Sequence, residues 1–172
     1  MRKLLLSLLF YFLILNLSGC GYHTYPICNI PQILQTLIID TTDPYGPLAT
    51  AVYEELRFHN VNIIDTSTNN KNIASLHLQA ETLNRDTIAT FPNGKASEYL
   101  IMMNIYAEVI IPNKGIYPIT SRVSRSFFYH PNAALANDTE QNIIIHDMRK
   151  QAIENLIRQL TTLDIVEKNR LI

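Results

Sequence analysis

From Tyr99 to Ile111 apolar residues fall on every second position, a spacing that belongs to a strand and that no helix presents on one side. Tyr99, Ile101, Met103, Ile105, Ala107, Val109 and Ile111 line one face, while Glu98, Asn104, Tyr106 and Glu108 mark the other. Turn signals bound this segment. Asn93-Gly94 precedes it, and both residues accept the positive φ of a type I′ hairpin turn. Pro112-Asn113-Lys114-Gly115 follows it and returns the chain into Tyr117, Ile119, Val123 and Phe127, which alternate again. Upstream, from Ile73, Leu76, Leu78, Ala80 and Thr82 fall on one side and His77, Gln79 and Glu81 on the other. The pattern predicts three antiparallel strands in a meander.

The flanking segments supply helices. Ile33 to Asp40 is a short apolar run with β-branched content and reads as a buried strand. Asp43-Pro44-Tyr45-Gly46-Pro47 stops it, and Pro47 suits a first helical turn, where its missing N–H has no partner to lose. Leu48, Val52 and Leu56, with Ala51 and Glu55 beside them, then predict a helix of about 14 residues with one apolar face. Val61-Asn62-Ile63-Ile64 reads as a strand parallel to the first, joined by a right-handed crossover. Asp65 to Asn72 reads as a loop. Asp138 with Gln141 has the spacing of a capping box and predicts the start of a second helix. Its stripe is Ile145, Met148, Ala152, Leu156 and Leu160, with Arg149, Glu154 and Arg158 among the polar positions, and it is expected to run to about Leu163. The element order is β-α-β-β-β-β-α, an α+β pattern.

The N-terminus directs this fold out of the cytoplasm. Met1-Arg2-Lys3 is a basic start, and only Ser7 interrupts the apolar run from Leu4 to Leu15. That run falls short of the roughly 20 apolar residues that a spanning helix needs. Leu17-Ser18-Gly19-Cys20 fits the bacterial lipobox, so residues 1–19 are expected to be a signal peptide and Cys20 the acylated first residue of the mature chain. A bacterial lipoprotein normally carries three acyl chains, and each buried methylene adds roughly 0.8 kcal/mol, so the anchor is expected to be permanent. Gly21 follows, where an aspartate would favour retention at the inner membrane; the expectation is the outer membrane, periplasmic face.

Removing 19 residues from 172 leaves 153, the size of a single domain over 20–172. Lipidation consumes Cys20 and leaves Cys28 without an intramolecular partner, so Cys28 reads as a small apolar residue. Taking Arg2 and Lys3 from 14 basic residues leaves 12 against 15 acidic, about −3, which gives nucleic-acid binding no support. The five histidines, at 23, 59, 77, 130 and 146, show no ligand spacing on a helix face, so no metal is expected. His146-Asp147 has no Gly-x-Ser-x-Gly elbow or other nucleophile context to work with, and no glycine-rich phosphate loop occurs. The chain reads as non-enzymatic, without a cofactor beyond the lipid on Cys20.

Five separated blocks resemble the LptE family of lipopolysaccharide-assembly lipoproteins. They are Cys20-Gly21-Tyr22-His23, Asp40-Thr41-Thr42-Asp43-Pro44-Tyr45-Gly46-Pro47-Leu48, Phe91-Pro92-Asn93-Gly94-Lys95-Ala96-Ser97-Glu98-Tyr99, Ile116-Tyr117-Pro118-Ile119, and Arg125 through Ala136. The resemblance implies two helices packed on one face of a four- to five-stranded mixed sheet. It implies a partner as well, the outer-membrane β-barrel LptD, which such a lipoprotein plugs and helps to assemble, and it implies binding of lipopolysaccharide in transit to the cell surface. Some members carry a basic residue after the phenylalanine of the first hairpin and another near the end of the Ala-Leu-Ala block. Here Pro92 and Asn137 stand at those places.

Lys95 is the nearest replacement cation, and Lys95, Arg122 and Arg125 are the expected lipopolysaccharide contacts. Phe127 continues the alternation into the core, whereas Phe128 and Tyr129 point elsewhere and are assigned to the partner interface. The rival reading is a structural lipoprotein that assists barrel assembly without touching glycolipid.

Overall fold

The computed structural model describes residues 30–64 and 72–170, with side chains through residue 163. The signal segment, Cys20, Cys28 and residues 65–71 of the expected loop lie outside them. A short 3-10 turn, Gln32–Leu34, leads into β1 (Thr36–Thr41), α1 (Pro47–Phe58) and β2 (Asn62–Ile64). Then come β3 (Ala74–Leu78), β4 (Thr82–Thr90), β5 (Ala96–Ile111), β6 (Gly115–Phe128) and α2 (Ala134–Arg170).

The long alternating segment is the spine of the sheet. Along one edge β5 pairs antiparallel with β6 over the full run from Glu98↔Phe128 to Ile111↔Gly115. Its other edge is shared end to end, by β4 against Ala96–Asn104 and by β3 against Ala107–Ile110. β1 lies parallel to β3 and β2 parallel to β1, as the strand–helix–strand order requires. At one end, called proximal below, Gln32–Leu34 enters β1, α1 finishes, and the Pro112-Asn113-Lys114 turn joins β5 to β6. The opposite, distal end holds the β4–β5 hairpin and the loop from β6 to α2.

Among the described residues six strands form where sequence predicts four to five, because the strand expected from Ile73 onward breaks in two. Leu78 pairs with Ala107 but Thr82 with Asn104, so three residues, Gln79-Ala80-Glu81, oppose two on β5. Such a bulge inverts the side-chain phase beyond it. Thr82, expected on the side of Leu76 and Leu78, therefore faces away with Asn84 and Asp86, while Leu83 and Arg85 turn toward the helices. Periodicity alone could not show this, since β4 is exposed along almost all its length and has no apolar stripe to reveal the new phase.

The first hairpin also differs. Of Asn93 and Gly94 only Gly94 has positive φ, at 79°, which excludes type I′. Gly94 N–H donates to Phe91 O (2.9 Å) and Phe91 N–H to Lys95 O (2.8 Å), the pattern of a three-residue loop with Gly94 in the left-handed position. Pro92, with φ fixed near −65°, favours that turn. In the second turn Asn113 takes φ 63° directly after Pro112, as a type II turn asks.

Both helices cover one face of the sheet. Leu48, Val52 and Leu56 of α1 and Met148, Ala152, Ile153, Leu156, Ile157 and Leu160 of α2 are buried against Ile101, Met103, Ile105, Ala107, Val109 and Ile111 of β5. Each of the Val, Leu, Ile and Met side chains among them contributes about 1.5–3 kcal/mol through burial. α1 starts with Pro47 at its first position and Gly46 as N-cap. A Cβ at Gly46 would meet the Asp43 carboxylate, which would have to swing aside. α2 begins at Ala134, four residues before the expected Asp138. The Ala133 carbonyl accepts the first helical bond, from Asn137 N–H, so Asp138 and Gln141 lie inside the helix and form no capping box.

Candidate interaction surfaces

Register divides the chemistry between two faces. On the helix-covered face, Arg85, Ile101 and Arg125 form one row across β4, β5 and β6. Among the described residues no element covers the opposite face. Its rows run Asp86–Leu100–Ser126, Asn84–Met102–Ser124 and Thr82–Asn104–Arg122, then Asp40–His77–Glu108–Pro118. Glu98, Asp86, Glu108 and Asp40 are its carboxylates and Arg122 its one arginine, so the open face is acidic. His77 Nδ1 lies 3.0 Å from Asp40 Oδ2 within it.

The three sequence-predicted cations do not converge. Arg122 is on the open face, its Nε donating to Asn104 Oδ1 at 2.7 Å. Arg125 is on the other face, its Nη2 donating to Gln151 Oε1 of α2 at 2.7 Å. Lys95 is exposed at the distal hairpin, where its backbone N–H donates to Asn93 Oδ1 (3.1 Å) and stiffens the turn. A phosphate held by all three at once is excluded by the sheet between the two arginines.

Phe128 and Tyr129 also separate. Phe128 is 60% exposed at the distal margin of the open face, opposite Glu98. Tyr129 packs against the core, its ring edge-on to Tyr99 with centroids 5.9 Å apart. Its backbone N–H donates to Ser97 O, which continues the β5–β6 ladder past Phe128 and turns the ring inward. Arg85 stacks on Tyr99 from β4, 4.6 Å from the ring centroid, and reaches Gln141 Oε1 at 3.3 Å.

Two structural residues escaped sequence reasoning. Asn137 is 4% exposed, and its side chain accepts from His130 N–H (3.0 Å) and donates to His130 O (2.7 Å). It clamps the loop that delivers β6 into α2, and its position within Ala-Leu-Ala-Asn, after a proline-containing loop, was the available signal. Arg149, read as a polar surface position, grips Glu81 of the bulge through Nε and Nη2 at 2.8 and 2.6 Å. The hydrogen bond to Glu81 raises the Arg149 pKa, against the opposing effect of burial.

Among the described residues no group of three or more His, Cys, Asp or Glu side chains is arranged to hold a metal ion, and no helix is long and apolar enough to cross a membrane. A cleft of about 480 Å³ runs between the helices, lined by Glu54 and Glu55 of α1 and by His146, Arg149 and Lys150 of α2 among others, so its carboxylates and its cations come from opposite walls.

The profile of the LptE family, described as lipopolysaccharide-assembly, matches residues 34–160. The LPS-assembly lipoprotein LptE of Pectobacterium atrosepticum is 42% identical, with 99% of this chain and 94% of that protein covered. The LPS-assembly lipoprotein LptE of Photorhabdus laumondii is 41% identical, with 99% and 92% covered. Among solved structures, the rare lipoprotein B from Shewanella oneidensis superposes with a TM-score of 0.71 at 26% identity, over 77% of this chain and 98% of that one. A lipoprotein from Nitrosomonas europaea, at a TM-score of 0.64 and 13% identity over 84% and 93%, shares the fold.

Proposed function

The chain belongs to the LptE family of lipopolysaccharide-assembly lipoproteins, and from that premise we propose that it plugs the β-barrel LptD, assists its assembly, and takes part in moving lipopolysaccharide to the cell surface. It is a non-enzymatic envelope lipoprotein that acts by binding. Residues 1–19 are the signal peptide and 20–172 the single mature domain, held at the periplasmic face of the outer membrane by lipid on Cys20. The observation that carries this reading is identity of 42% over nearly the whole of both chains.

The experiment is affinity isolation of the tagged, full-length lipoprotein from detergent-extracted outer membranes. Co-isolation of LptD in stoichiometric amount supports the proposal; recovery of the lipoprotein without a barrel overturns it. Phe128, exposed beside the distal hairpin, is assigned to the barrel contact, whereas Tyr129 is turned to the other face and packs against the core.

Direct lipopolysaccharide binding has a rival with an observation of its own. Arg122 and Arg125 lie on opposite faces, each engaged by an amide side chain, and the open face is acidic, which opposes an anionic glycolipid there. That favours barrel support without glycolipid contact, unless Lys95 at the hairpin supplies the contact. Binding of purified lipopolysaccharide to the soluble domain at moderate salt separates the two.

A further inference from the structure

Among the described residues the sheet ends in three outer strands, β2, β4 and β6, each with one edge that no strand covers. Such an edge is a row of backbone N–H and C=O groups that another chain can pair with unless something blunts it. β2 is three residues long, too short to seat a further strand. β4 shifts register between Thr87 and Ala89 and again before Thr90, so bulges bend its edge. β6 keeps one register with β5 along its whole length, and its outer edge has two unlike halves.

Two contacts fix the phase of that edge. Tyr129 N–H donates to Ser97 O, so odd-numbered residues of β6 turn their backbone groups to β5 and even-numbered ones turn theirs outward. Thr120 agrees with this. Its N–H donates to Gln159 Oε1 at 3.3 Å and its carbonyl accepts from Gln159 Nε2 at 2.7 Å, so the Gln159 amide stands where the peptide of a neighbouring strand would. Two residues earlier, Pro118 has no outward N–H to offer. These two devices close the proximal half. In the distal half Arg122, Ser124, Ser126 and Phe128 are exposed, and among the described residues their outward backbone groups have no partner.

We infer that an extended segment of the barrel partner adds to the sheet along Arg122 to Phe128, as a strand beside β6. The inference rests on the barrel reading above and names a contact within it. Donors and acceptors at strand spacing are matched by another backbone, not by a lipid. Phe128, the last position of the run, is the side chain assigned to the barrel contact, so the edge continues that surface. A closed barrel wall has no free edge of its own, which leaves one of its loops to supply the segment. On the open face the added strand meets Arg122, Ser124, Ser126 and Phe128 in turn, which suits a carboxylate at one end, small residues between and an apolar residue at the other. A second copy of this chain fits less well, since antiparallel pairing about the middle of the run sets Arg125 directly against Arg125.

The test reads amide hydrogen exchange residue by residue in the full-length lipoprotein, alone in detergent and in the complex isolated from outer membranes. Alone, the amides of Arg122, Ser124, Ser126 and Phe128 are expected to exchange fast and those of Val123, Arg125 and Phe127 slowly. In the complex the even-numbered set is expected to slow by more than about tenfold. A complex that contains the barrel but leaves these amides fast overturns the inference and spares the functional reading, whereas lipoprotein recovered without a barrel overturns both. Protection that grows with concentration in the lipoprotein alone assigns the edge to a second copy and overturns the inference too. Ser126→Pro removes one outward N–H in the manner of Pro118, and is expected to lower barrel recovery several-fold while Arg125 and Phe127 stay protected. Ser126→Thr keeps that N–H and should recover the barrel like wild type. Undiminished recovery by folded Ser126→Pro protein overturns the strand addition.

Discussion

The carboxylate of Glu81 receives Arg149 through two hydrogen bonds, at 2.6 and 2.8 Å, and so ties the β3–β4 bulge to the middle of α2. Both side chains are largely withdrawn from water, at 14% and 16% exposure, so the pair is screened less than a surface bridge. Arg149→Met leaves a carboxylate without its partner and is expected to destabilise the domain by about 2–3 kcal/mol in urea unfolding. Glu81→Met with Arg149→Met should recover part of that loss; strictly additive single and double mutants would show that the two residues are not coupled. The folded-state pKa of Arg149 is raised, so its contribution is complete below the ordinary arginine range and fades only as pH rises through it.

Asn137 predicts a second stability effect, unrelated to charge. Asn137→Ala strands the N–H and carbonyl of His130 in a half-buried loop and is expected to cost about 1–3 kcal/mol. Hydrogen exchange at His130 should accelerate in the mutant. Unchanged protection would mean that the loop is held by something other than this clamp.

For Phe128 and Tyr129 the structure predicts opposite outcomes. Phe128→Asp alters an exposed ring, so circular dichroism should be unchanged while co-isolation with the barrel falls, by the equivalent of about 1.5–3 kcal/mol of apolar burial. Tyr129→Asp places a charge against Tyr99 and the core and should lower thermal stability before it affects any partner. Wild-type recovery of the barrel by folded Phe128→Asp protein removes this residue from the interface.

On the proposed lipidation at Cys20, Cys20→Ala removes the acyl acceptor, so the precursor should accumulate with its signal uncleaved. Metabolic labelling with palmitate checks this directly. Label on the Cys20→Ala product would refute the assignment.

Lys95→Glu addresses glycolipid contact. As an exposed single charge, Lys95 contributes about 1 kcal/mol at most, and salt screens much of it. Lipopolysaccharide binding should weaken several-fold at low ionic strength, with the gap narrowing near physiological salt. Equal binding by both proteins at low salt would exclude the hairpin as the contact.

What sequence made legible was whatever periodicity encodes. β5 and β6 were readable because Ile101 to Ile111 and Ile119 to Phe127 bury one face each, and α1 because Pro47 and the Leu48–Val52–Leu56 stripe agree. β4 was not separable from β3, since the extra residue at Gln79-Ala80-Glu81 flips the phase just where the strand leaves the core. The expected start of α2 at Asp138 rests on cap spacing with Gln141, whereas the helix begins one turn earlier at Ala134, where Asn137 in its first turn reaches back to hold His130 across seven residues. Which face a strand arginine occupies depends on the same phase, and Arg122 and Arg125, three apart, necessarily face opposite ways.

The shared edge of β5 also orders the folding reaction. β4, β5 and β6 follow one another through short turns, so their pairings close small loops and form with little loss of chain entropy. β1 and β2 pair with each other across a parallel crossover through α1 and join the rest of the sheet only along the edge of β3, so they are expected to add late. An unfolded chain thus has a template in its own middle, onto which the N-terminal third is expected to condense last. Until it does, β3 exposes a row of unpaired backbone donors and acceptors, and this interval is when the nascent lipoprotein is most exposed to aggregation.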